Sequence, residues 1–109
     1  MYNQSDIALL VNIIKNHVKE NLDSIILFGS YARHNASSSS DIDIAILLKS
    51  IIERREKLKL LNSLWWDASK KGLSVDFVIK TVSDYNIDIT LPTLSRTINN
   101  EGRIIWQNQ

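Results

Sequence analysis

The chain has 109 residues, 44% of them hydrophobic, with 13 basic against 12 acidic side chains and a net charge of +1. This composition predicts one folded domain over residues 1–109 rather than a disordered chain, and it supplies no global field that would draw in nucleic acid. The lack of cysteine excludes disulfide frameworks, thiolate metal sites and cysteine nucleophiles.

Residues 5–20 read as a helix. Ser5 is placed to cap it, Asp6 suits its positive end, and Ile7, Leu10, Val11, Ile14 and Val18 recur at helical spacing. This start lacks the pattern of a signal peptide, and no apolar run approaches membrane-spanning length, so a soluble cytoplasmic protein is expected. Ser24 to Phe28 is a short β-rich run that ends at Gly29. His34 to Ser40 reads as a loop with a serine tract. Ile42 to Leu48 is a second run, nearly all apolar, as expected of a strand covered on both faces. Residues 53–71 are helical, with Gly72 in the usual stop position. Arg54, Arg55, Lys57 and Lys59 on this helix suit a solvated face better than a nucleic-acid contact. Leu73 to Ile79 is a third strand, residues 92–100 a short helix, and Arg103 to Trp106 a final strand-like run. The order predicts an α/β (α+β) fold in which helices pack against a small sheet.

Three features in this frame carry chemistry. Gly29-Ser30 follows a strand directly, where glycine lets backbone amides approach an anion closely and the serine hydroxyl adds a donor. In isolation such a pair is most often a turn. Asp41 and Asp43 flank Ile42 at the start of a strand, and residues two apart point to one face, roughly 6.5–7 Å apart. They read either as a polar strand entrance with Asp41 capping the loop, or as two carboxylates on one cation. Asp76 lies among apolar neighbours in a third strand, a costly place for a carboxylate unless it is paired with a lysine or arginine or bound to metal. Two aspartates side by side and a third on another strand are explained together by one shared site.

GSYAR, then SSSDIDIAIL, then VDFVI resembles the nucleotidyltransferase superfamily of DNA polymerase β, in its minimal prokaryotic (MNT) branch. The family pattern is Gly-Ser, ten residues, Asp-x-Asp, and a later strand aspartate, and Ser30 to Asp41 has that spacing. The resemblance implies a small mixed β-sheet of the polymerase β type. It implies that Gly29 and Ser30 hold the terminal phosphates of ATP, with Arg33 touching phosphate. Asp41, Asp43 and Asp76 would bind two Mg²⁺ ions, and Asp76 would help activate the attacking hydroxyl. One departure is His34, where many relatives carry glycine; it reads as an exposed loop residue rather than a ligand.

Larger members of this superfamily add a domain that recognises the acceptor, for which this length leaves no room. The resemblance therefore implies a partner protein. Minimal members are commonly antitoxins of HEPN-domain RNase toxins, and some adenylylate a tyrosine of the toxin. The leading expectation is thus an Mg²⁺-dependent antitoxin that adenylylates a HEPN toxin; the alternative is a catalytically idle antitoxin that acts by binding and occlusion. Transfer to a small molecule is disfavoured by the missing acceptor domain. On the helix from Glu53, the stripe of Leu58, Leu61, Leu64, Trp65 and Ala68 reads as core. Trp66, about one hundred degrees further round, suits either a protein interface or a place beneath the C-terminal tail.

Overall fold

The computed structural model describes residues 1–108. Its elements are α1 (Gln4–Val18), a 3₁₀ turn (Lys19–Asn21), β1 (Leu22–Phe28), α2 (Gly29–Ala32), β2 (Ile42–Leu48), α3 (Arg54–Lys70), β3 (Val75–Thr81), α4 (Val82–Asp88), α5 (Leu94–Glu101) and β4 (Arg103–Gln107). The strands form one mixed sheet of order β3-β2-β1-β4. β1 runs antiparallel to both β2 and β4, whereas β2 and β3 are parallel. This is the small mixed sheet with packed helices that the sequence predicts.

Strand alternation sorts the core into two layers. Ile42, Ile44, Ile46 and Leu48 of β2 join Ile25, Leu27, Val75 and Ile79 against Leu10 and Ile14 of α1 and Leu64 and Ala68 of α3. The opposite face is thinner: Ile26, Ala45 and Leu47 pack against Tyr85 of α4 and Ile98 of α5. β2 is an inner strand covered on both sides, which explains its nearly continuous apolar run. An ion pair between the ends of β3 and α4, Lys80 with Asp88, ties the thinner layer to the sheet edge. Among the described residues no helix is long and apolar enough to cross a membrane.

Several boundaries differ from expectation for local reasons. α1 is capped by Asn3 rather than Ser5: the Asn3 side chain accepts from the Asp6 amide and the Asp6 carboxylate accepts from the Asn3 amide, a reciprocal capping box. β3 begins at Val75, not Leu73. The Leu73 amide is bonded back to the Ala68 carbonyl and the Gly72 amide to Ser69, so residues 72–73 close α3 in a Schellman motif before any strand can start. α4 is unanticipated. Its signal is Thr81, whose hydroxyl accepts from the Asp84 amide, an N-cap that was hidden behind the end of a strand.

The inward face of α3 is also rotated from the expected stripe. Leu64 and Ala68 are buried and Leu61 is half-buried, but Leu58 is 54% and Trp65 55% exposed. Trp66 is 59% exposed and its ring lies 6.5 Å from that of Trp65, so it is not covered by the C-terminal tail. Leu64→Ala should therefore destabilise the protein by about 2–4 kcal/mol through lost burial and a residual cavity. Trp65→Ala should change stability by less than about 1 kcal/mol, and urea denaturation of the two variants measures the contrast.

Candidate nucleotidyl-transfer site

The chemistry-bearing residues meet at one end of the sheet, where β1 finishes and the parallel pair begins. Register does most of the placing. Asp43 of β2 is the direct partner of Asp76 of β3, and on its other side of Phe28, the last residue of β1. Neighbouring strands stand about 4.8 Å apart, so the two carboxylates occupy adjacent positions on one face. That face carries Ala45 and Leu47 further along β2, beneath α4 and α5. The apolar cover ends at Ala45, and Asp43 is the next residue of the same parity beyond it.

Gly29 has φ of +72°, in the left-handed region that favours glycine. A Cβ built there would overlap Oδ2 of Asp43 and lie 2.9 Å from its Cγ. The glycine is thus required twice, by its backbone conformation and by the carboxylate that rests on it. Ser30 follows in the single turn of α2, half-buried. Arg33 ends that turn, is exposed, and pairs with Glu101 at 3.7 Å. His34 is exposed with φ of +60°, the backbone region that glycine occupies most readily, which accounts for the glycine expected there by resemblance.

Electrostatics marks Asp43 as the pressed member of the group. Its carboxyl is pushed above the ordinary value by burial first, then by Asp76 and Asp41, with Arg33 acting in the opposite direction. Asp41 precedes β2 and is exposed; its Oδ1 accepts a hydrogen bond from the Ser74 hydroxyl at 2.6 Å. Asp76 differs from expectation. It is the second residue of β3 and exposed, so it escapes the burial expected for a mid-strand aspartate. Among the described residues no three acidic or histidine side chains close tightly enough around one point to hold a metal ion. The backbone brings Asp43 and Asp76 side by side, while the Asp41 side chain is engaged with Ser74. Sequence reasoning missed Ser74 and Glu101. Ser74 was detectable, since it stands two residues before Asp76 and therefore shares its parity. Glu101 was not, because its approach to Arg33 comes from the packing of α5.

A groove of about 580 Å³ lies elsewhere, at the far ends of β2 and β3, lined by Leu48, Ile52, Leu61 and Ile79 with Arg54 and Lys57 at its rim. It contains none of Asp41, Asp43 and Asp76.

The family of polymerase beta nucleotidyltransferases matches residues 9–109. The chain belongs to that family. Its members catalyse nucleotidyl transfer, and this nucleotidyltransferase is similar to two candidate protein adenylyltransferases of Methanocaldococcus jannaschii. One is 38% identical over 69 residues, covering 63% of this chain and 66% of the relative. The other is 29% identical over 110 residues, covering 97% and 100%. Among solved structures, a toxin–antitoxin crystal structure with AMP-PNP matches with a TM-score of 0.62 and 25% identity over 99% of this chain and 76% of that one. A tri-AMPylated Shewanella oneidensis HEPN toxin in complex with MNT antitoxin matches with a TM-score of 0.63, 24% identity and coverage of 97% and 73%, a likeness of fold.

Three outcomes are expected. Gly29→Ala should lose about 1–3 kcal/mol and its transfer activity, because strain and overlap with Asp43 act together. Gly72→Ala, with φ of +76° but nothing within 4 Å of the new Cβ, should lose about 1 kcal/mol and keep its activity; thermal unfolding and a transfer assay on the pair separate the two causes. For Asp43, a folded-state pKa above the unfolded one means that the native state binds the extra proton, so this group's contribution to stability falls as pH rises through the folded value. Asp43→Asn should consequently be more stable than the parent at neutral pH, with the advantage shrinking as pH is lowered toward the ordinary carboxyl value of 3.8, as followed by denaturation across pH.

Proposed function

We propose that this nucleotidyltransferase uses ATP and Mg²⁺ to adenylylate a tyrosine of a partner HEPN toxin, and that residues 1–109 act as one catalytic domain in doing so. The observation that carries the reading is the in-register pairing of Asp43 with Asp76 directly over Gly29. A binding module has no use for a half-buried carboxylate crowded by two others with one arginine to offset them.

The donor set fits a hard divalent cation. All three side chains offer carboxylate oxygens, and the charges of Asp76 and Asp41, which after burial raise the Asp43 pKa, are charges a cation neutralises. Asp41, Asp43 and Asp76 would hold Mg²⁺, with Asp41 and Asp76 open to solvent and to an arriving ion. When bound, Mg²⁺ supplies neutralisation of phosphate charge and fixes the phosphates for in-line displacement.

The chain's own residues do the rest. Gly29 keeps the approach to Asp43 free of a side chain, and the Ser30 hydroxyl donates to a phosphate oxygen. Arg33, at the end of the same turn, adds positive charge on that side. Asp76, open to solvent, accepts the proton of the tyrosine hydroxyl. The tyrosine oxygen then bonds to the α-phosphorus as the bond to pyrophosphate breaks. The likeness to solved toxin–antitoxin complexes, one of them with AMP-PNP, supports both the nucleotide and the kind of partner.

The test is to incubate the protein with ATP, Mg²⁺ and its cognate toxin and to measure the intact mass of the toxin. An adenylyl-sized increase, absent with Asp41→Ala plus Asp43→Ala and located on a tyrosine by fragmentation, is expected. No increase, with toxin still fully neutralised by the double variant, would assign neutralisation to binding and overturn the catalytic reading.

A further inference from the structure

Asp41 and Asp43 are not alone on their face of the parallel pair. Asp43 is the direct partner of Asp76, and Ser74 precedes Asp76 by two residues as Asp41 precedes Asp43. The four side chains form two adjacent rows, three corners carboxylate and the fourth a hydroxyl. A fourth acid at that corner would add repulsion; a hydroxyl donates instead, and Ser74 Oγ donates a hydrogen bond to Asp41 Oδ1 at 2.6 Å.

Ser74 is itself held from both sides. Its carbonyl accepts from the Ile42 amide at 3.0 Å, which fastens it to the residue between the two aspartates. Its amide donates to the Tyr2 hydroxyl at 2.9 Å, and that hydroxyl in turn reaches the Gly72 carbonyl at 3.4 Å. Tyr2 also donates its own amide to the hydroxyl of Tyr31, the residue after Ser30, at 3.2 Å. The N-terminal segment therefore bridges the start of β3 and the turn that carries Gly29 and Ser30.

We infer that Ser74 is a positioning residue for Asp41, locked in place by Tyr2, and that it presets one carboxylate oxygen so that the other is left for the cation. Asp41 lies outside β2 and is exposed, so without this bond nothing else among the hydrogen bonds of the described residues fixes its rotamer. Partners that hold a ligating carboxylate change metal affinity by roughly 10–100-fold when removed; for an exposed pair the lower end applies. The inference rests on the proposed role of the aspartates as cation ligands.

The experiment measures Mn²⁺ binding by electron paramagnetic resonance, with the Mg²⁺ dependence of transfer beside it. Ser74→Ala should weaken Mn²⁺ binding about tenfold and raise the Mg²⁺ needed for half-maximal rate by a similar factor, with an unchanged melting temperature. Ser74→Thr, which keeps the hydroxyl, should restore both to within about twofold, and Tyr2→Phe should give a smaller loss of about threefold. Asp43→Asn is the reference. If it abolishes Mn²⁺ binding while Ser74→Ala binds as the parent does, the positioning role is wrong and the site stands. If Asp43→Asn itself binds Mn²⁺ normally, the cation site is wrong and the inference goes with it.

Discussion

The parallel, in-register pairing of β2 with β3 is the constraint on which the rest of this structure depends. Side chains on a strand alternate, so one pairing decides both what is buried and what is displayed. Ile42, Ile44 and Ile46 with Val75 and Ile79 are delivered to the layer under α1 and α3. The residues between them, Asp43 and Asp76, are delivered together to the other face. That face is covered by α4 and α5 only along its far part, so the carboxylates stand where the apolar cover has ended. Gly29 completes the arrangement from β1's side, because antiparallel pairing brings Phe28 opposite Asp43 and the chain must turn away at once beneath the carboxylate.

Such a site is a burden on folding. Asp43 is partly withdrawn from water beside two like charges, and Gly29 and His34 both sit at positive φ. The two inner strands, with their nearly unbroken aliphatic runs, hold the geometry against that burden. Preorganisation of this kind has chemical value: groups already in place need no rearrangement when charge develops on a reacting phosphate.

Much of this was legible in the sequence because the signals were of the strong kinds. The β2 run, the helical stripe of α1 and the glycine stop of α3 each rest on local periodicity or stereochemistry, whereas the Gly-Ser to Asp-x-Asp spacing was read through resemblance to a family. What was missed rests on tertiary packing. Leu58 and Trp65 share helical spacing with Leu61 and Leu64, and only the tilt of α3 on the sheet decides that the face through Leu64 and Ala68 turns inward. α4 escaped notice because its cap, Thr81, is also the last residue of β3, where one side chain serves two elements. Asp76 was assigned to mid-strand because the closure of α3 consumes Leu73, a hydrogen-bonding detail no apolar pattern displays. The placement of Asp43 against Asp76 could be anticipated as a neighbourhood but not as a register. The engagement of Asp41 by Ser74 depends on that register too.

The period of two has a last consequence, for misfolding rather than for chemistry. A slip of β2 by one residue would exchange its faces and drive Asp43 into the aliphatic layer that holds Leu10 and Ile14, while Ile42 and Ile44 moved to the thinner face that Asp43 and Ala45 occupy. Burying an unpaired carboxylate there is far costlier than holding it half-buried where it is. The same aspartates that weaken the native state thus weaken its nearest competitor more. In a sheet whose inner strands are otherwise almost uniformly aliphatic, and so offer little to tell one alignment from the next, the acids act as alignment marks for the fold.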